Sequence, residues 1–290
     1  MIYLFIVPVL ATIKVIGQGA LSRRRVHCLR DALRTNAMIF GTVAIFLSAL
    51  FFREMPPAEV LIYSIINAVC IVGFQAFYIM AFSTGPISAT NILNSFNLVL
   101  PLIVGVFAYG ESWGPFTIIG LCAMTAAFLL IPGSRDERKA NMKWFVLTLC
   151  ATLLNGCTSL MMTVFTHSRF SDYNNYYIIF SYLFAFVLSV VVSLFVRGEN
   201  CGGESEKHRG FDIKTVLLVA LTALALGAHN ACMAKALMSV DGLIFYPVTN
   251  VAAMILVTAS DVILFRQKLS KKTVTGIIFG MVAIVLLNIG

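Results

Sequence analysis

The sequence predicts an all-α membrane protein of about ten transmembrane helices, built as two inverted five-helix repeats. Composition, the spacing of the charges and an internal duplication carry that prediction. Of 290 residues, 59% are hydrophobic and 12% are charged, and the mean hydropathy is +0.91. A water-soluble domain carries roughly a quarter charged residues. Here they are too few to wet a surface, so lipid must be the solvent for most of it.

A helix crosses about 30 Å of hydrocarbon with about 20 apolar residues. Such runs lie near 2–21, 36–52, 58–82, 86–109, 115–132, 143–166, 172–196, 215–238, 242–265 and 273–290. Nearly every Lys, Arg, Asp and Glu falls between them. No period-two alternation is visible, which argues against a barrel, and helices then satisfy their own backbones in lipid. The first run lacks a basic segment before it and is followed by Arg23-Arg24-Arg25, so it reads as a retained span rather than a cleaved signal. The longest polar stretch, 197–214, is too short and polar to fold alone.

Alternating the loops between two faces puts 17 of the 21 basic residues on one face. They lie in 23–34, 135–143, 197–214 and 266–272, whereas the opposite face holds only Arg53 and Arg169. Lys14 and Lys235 lie within spans. The positive-inside rule puts the basic face in the cytoplasm of a plasma (inner) membrane and both termini outside. The net charge of +8 is then topological, and nucleic acid is not expected as a partner. The expected partners are the bilayer and a small-molecule substrate, and a homodimer is left open. The seven cysteines show no CxxC or Cys/His spacing and read as small apolar packing residues. No metal or cofactor is expected.

Residues 83–130 slide onto 239–286 without a gap: Ser83 meets Ser239, Asn94 meets Asn250, Gly120 meets Gly276 and Leu130 meets Leu286. Tyr109-Gly110-Glu111-Ser112 lies over Phe265-Arg266-Gln267-Lys268, each at a turn between spans. The repeats are 1–133 and 143–290, joined by a linker at 134–142. Five spans per half force the second half to insert upside down. Carriers use that construction because two inverted halves can alternate access to a central site.

Two five-helix halves, each ending in a span, a Gly-Glu-like turn and a Gly-bearing span, resemble the drug/metabolite transporter superfamily, EamA-like branch. The likeness is best over Ala81–Leu130 and Ala236–Leu286, and in the second copy Arg266 and Gln267 replace Gly and Glu. The resemblance implies a ten-helix carrier of small metabolites or drugs. It also implies cytoplasmic termini, against the charge count.

Ionisable groups inside spans are expensive and are candidates for function. Lys14, about two-thirds along the first run, is an anchor for a carboxylate or phosphate, a partner for Asp261, or a snorkelling lysine. His229-Asn230 lies well inside its run, where a histidine could couple transport to protons. Ser88, Asn91 and Ser95 form a polar stripe with Asn94 beside it, and Asn97 falls off that stripe. The counterpart span carries Tyr246, Asn250, Met254 and Asp261. Gln18, Gln75, Tyr78, Asn155 and Thr158 complete the candidate cavity, with Asp261 and His229 as coupling groups. The bland reading of each amide is a hydrogen bond between packed helices. Tyr173 to Tyr177 reads as an interfacial aromatic belt.

The expected function is a secondary carrier of small metabolites. No GxxxxGK[ST] loop occurs to bind ATP. A multidrug exporter is the alternative. A membrane-embedded enzyme is remote, because neither HExxH nor GxSxG is present.

Overall fold

The computed structural model describes residues 3–98, 100, 114–130, 138–166, 168–196, 212–237, 242–265 and 271–289. Every regular element among them is helical. In chain order the α-helices are α1 (Tyr3–Arg25), α2 (Leu29–Phe51), α3 (Ala58–Thr84), α4 (Ile87–Asn94), α5 (Pro115–Leu130) and α6 (Arg138–Thr166). Then follow α7 (Asn174–Phe195), α8 (Ile213–Leu237), α9 (Gly242–Phe265) and α10 (Lys271–Ile289). The turns at 109–112 and 266–268, Pro101 and most of the polar stretch 197–214 lie outside the described residues.

Six helices among the described residues are long and apolar enough to cross a membrane: α1, α2, α3, most of α6, α7 with its preceding turn, and most of α8. Their outer faces confirm the solvent. Phe195 is 80% exposed, Ile45 74% and Ile213 72%, a density of bare apolar side chains that water does not tolerate. This is a multi-pass, all-α membrane protein.

Local chemistry sets the ends. Pro56 and Pro57 end the connection after α2, and Pro57 stands at the N-cap of α3. Gly85-Pro86 separates α3 from α4, with the Gly85 N–H donating to the Ala81 carbonyl. Pro115 opens α5, where its missing N–H is not needed. On the opposite side of the protein from the arginine-rich turn, Arg169 reaches Glu59 at 3.5 Å and covers the Phe170 ring. That pair is exposed and worth little.

In the run expected at 86–109 the α-helix Ile87–Asn94 passes into a 3-10 turn at Ser95–Leu98; Leu100 is again helical, and 101–109 lie outside the described residues. The Ser95 hydroxyl donates to the Asn91 carbonyl at 2.9 Å, a back-bond that bends helices.

The helices pack in a regular scheme. α3 lies against α6 and α7, and α1 against α8 and α9. α2 lies against α7 and α8, α4 with its 3-10 turn against α6 and α9, and α5 against α10. Phe40, Ile79, Tyr182 and Leu226 belong to one apolar cluster; Ile92, Trp144, Met254 and Ile277 belong to another. A third gathers five helices at one point through Val15, Tyr78, Ile87, Ala151 and Val257.

Candidate functional site

The polar exceptions to this apolar bundle gather around the middle of α1. Lys14 is the central residue of the 23-residue helix Tyr3–Arg25, with about 16 Å of helix on either side. The apolar part of α1 ends at Leu21, seven residues or about 10 Å beyond Lys14, so both an anchoring and a snorkelling role remain open to it. Protein surrounds Lys14 on all sides, yet it keeps part of its surface accessible. No carboxylate among the described residues lies within ion-pair distance of it.

One turn further, Gln18 donates through Nε2 to Oε1 of Gln75 on α3 at 3.0 Å, and both side chains are buried. Another turn on, the Ser22 hydroxyl donates to the Ile79 carbonyl. These two bonds set α1 and α3 side by side, running the same way. Tyr78, on the same stretch of α3, donates to Oδ1 of Asn91 on α4 at 3.0 Å. Its ring is held between Phe74 and Phe82, with centroids at 5.2 and 4.3 Å.

α8 runs past α1 in the opposite direction, with Thr222 against Gly17 and His229 hydrogen-bonded to the Val7 carbonyl. Nδ1 of His229 is buried and finds no partner among the described residues. A cation, an imidazole with an unused nitrogen and a paired set of amides are therefore strung along α1 from the level of Val7 to that of Gln18, a rise of about 16 Å. They can bind and orient a small polar group. They form no nucleophile–base pair, and no metal-holding cluster of His, Cys, Asp and Glu occurs among the described residues.

Other candidates are engaged elsewhere. Asn94 accepts from Nδ2 of Asn155 at 3.3 Å, and Thr152 donates to the Leu93 carbonyl at 3.2 Å, so they form a seam between α4 and α6. Asn97 joins that seam by donating to Ser159 at 3.0 Å, although helical spacing puts it off the stripe. The 3-10 turn is the reason: at three residues per turn, Asn97 comes round onto the face of Asn94. The Thr158 hydroxyl bonds the Leu154 carbonyl of its own helix at 3.2 Å. Asn230 turns away to Tyr182 on α7 at 3.1 Å. The side chains of Ser88, Tyr246, Asn250 and Asp261 lie outside the described residues, although the helices carrying them are described.

Two features escaped the sequence reading. The Trp144 indole N–H donates to the Thr90 hydroxyl at 2.7 Å in a buried contact, and Asn67 donates to Ser181 at 3.1 Å across α3 and α7. A tryptophan near a helix start reads as interfacial until its partner is seen. Cys28 also departs from expectation: it is disulfide-bonded rather than a packing residue, whereas Cys70, Cys122, Cys150, Cys157 and Cys232 are free.

No known family matches the chain, and no curated protein matches it. A solved structure described only as "Crystal structure of protein" aligns over 98% of this chain and 94% of its own, with a TM-score of 0.60 and 12% identity. That likeness is one of fold. It extends over essentially the whole chain.

Proposed function

We propose that the chain is a secondary carrier of the EamA-like, drug/metabolite transporter type, moving a small polar metabolite by alternating access between two inverted five-helix halves. One observation carries this reading: exchanging each helix with the one five places on leaves the most extensive packing pairs unchanged, although α1 with α3 and α2 with α3 have no comparable counterparts. The pair α3 with α6 becomes α8 with α1, α3 with α7 becomes α8 with α2, and α4 with α6 becomes α9 with α1. The pairs α2 with α7, α4 with α9 and α5 with α10 map onto themselves. A bundle of unrelated helices has no reason to obey that exchange, and two copies of one five-helix unit do. The gapless duplication of 83–130 on 239–286 supports the same reading from the sequence.

The substrate sits at the level of Lys14 and His229. A charge at mid-bilayer costs about 2.5–3.5 kcal/mol on insertion scales, so this lysine is retained for a ligand, and the ligand offers a carboxylate or phosphate. His229 is the proton-coupling group, and Asp261 remains the candidate acid. Uptake into proteoliposomes is the test, against a panel of small carboxylates, phosphate esters and cationic amphiphiles, with and without a pH gradient. Lys14→Ala should lower uptake of the best anionic substrate at least tenfold, and His229→Ala should remove the pH-gradient effect. Unchanged uptake in both variants refutes the site. Selective movement of cationic amphiphiles makes the chain a multidrug exporter instead.

In this proposal the membrane is the plasma (inner) membrane, the arginine-rich face is cytoplasmic and both termini lie outside. The disulfide of Cys28, in the turn between α1 and α2, favours the reverse, because cytosolic thiols stay reduced. The reverse also agrees with the resemblance.

A further inference from the structure

A groove of about 610 Å³ runs along the outside of α2, remote from the Lys14 band. Ala37, Gly41 and Ser48 of α2, Phe186 of α7, and Val216 and Val219 of α8 form its walls. Gly41 sets its depth, since a Cβ there would stand 3.1 Å from the Phe186 ring. Ile45 and Val216 at its rim are 74% and 46% exposed, so the groove opens outward to hydrocarbon. From residue 37 to residue 48 it extends about 16 Å along the helix, half the thickness of the hydrocarbon. That is the depth of one leaflet.

The groove has a charged end. α2 and α8 run side by side in the same direction, because Gly227 faces Phe46 and Leu47 while Thr215 shares the groove with Ala37. Arg34, one turn before the groove on α2, and Lys214, next to Thr215 on α8, therefore stand at the same level. Both are exposed, and neither forms a salt bridge among the described residues. The nearby acid, Asp212, accepts the backbone N–H of Lys214 at 3.4 Å and caps the helix start.

We propose that this groove is a binding site for an anionic phospholipid of the leaflet on the arginine-rich face, one acyl chain lying along Gly41 and the head-group phosphate held between Arg34 and Lys214. A zwitterionic lipid offers the same chain but less net charge to the two cations. A second copy of the protein would leave both cations unmatched, and a soluble anion would leave the apolar slot empty. Each basic residue near the membrane surface is worth a factor of about five in attraction to anionic lipid, so the pair contributes about thirtyfold.

The test is lipid retention by the full-length protein in detergent, read by native mass spectrometry with phosphatidylglycerol and phosphatidylcholine of matched chains. The expected result is a preference for phosphatidylglycerol approaching thirtyfold, weakened by salt. R34A/K214A should abolish the preference, while R34K/K214R keeps it and so separates charge from folding. T42F, which fills the groove, should lower retention of both lipids. Equal retention of the two lipids by the unaltered protein overturns the proposal. So does a preference that survives R34A/K214A, or a lipid-independent dimer that T42F dissolves.

Discussion

Lys14 stands eleven residues from each end of α1, within an apolar run where an ionised group is expensive. Such a residue trades stability for a task. Lys14→Leu should therefore raise the thermal unfolding midpoint, by the equivalent of about 1–3 kcal/mol, while uptake of the anionic substrate falls more than tenfold. A lysine with only a packing role would instead lose stability on that change. Gly156 is the opposite kind of residue, held by space alone. A Cβ there would lie 2.9 Å from Cβ of Leu100 and 3.1 Å from the Asn97 carbonyl oxygen, neither of which is a flexible tip. Gly156→Ala should cost about 1–3 kcal/mol, seen as a lowered unfolding midpoint in detergent with the helical content of the folded state unchanged.

At the scale of the element, α4 is the informative helix. Its first two turns are α-helical and carry Asn91 toward Tyr78; the turn after them is 3-10 and carries Asn97 toward α6. One strand of polar residues is thus divided between a possible binding band and a packing seam. Spacing alone put Asn91, Asn94 and Ser95 together because an unbroken α-helix was assumed. A double-mutant cycle on Asn97→Ala and Ser159→Ala should give a coupling of about 0.6 kcal/mol, the usual size for a hydrogen bond between membrane helices. Tyr78→Phe should leave unfolding nearly unaffected, because its ring stays between Phe74 and Phe82. Its effect belongs in substrate affinity, through the freed Asn91 amide: a change in KM larger than the change in kcat in the uptake assay checks this.

At the scale of the whole molecule, the exchange of each helix with the fifth one on ties topology to mechanism. Single cysteines placed at His27 and at Glu59, in a variant without native cysteines, report the two faces. A membrane-impermeant thiol reagent should label Glu59→Cys from outside and His27→Cys only after permeabilisation. The opposite pattern reverses the orientation in favour of the Cys28 disulfide and leaves the proposal of inverted halves standing.

The sequence by itself determined the solvent and where the apolar runs lie, but not where the helices end. Arg23 to Arg25 lie in α1, Arg30 and Arg34 in α2, and Arg138, Lys139 and Lys143 in α6, so α2 and α6 start before the expected 36 and 143. Hydrocarbon excludes ionised groups, yet a helix continues through charged residues once it has left the apolar layer. It also brought out Lys14, His229, Gln18 and Gln75, since a polar residue deep in an apolar run is conspicuous in one dimension. Tertiary structure alone decided what those residues do. It paired Gln18 with Gln75, turned Asn230 to Tyr182, and sent Asn94 and Asn155 into a seam. The reason is geometric: burial depth follows from position along a helix, whereas a hydrogen-bond partner depends on which way a side chain faces and which helix lies there.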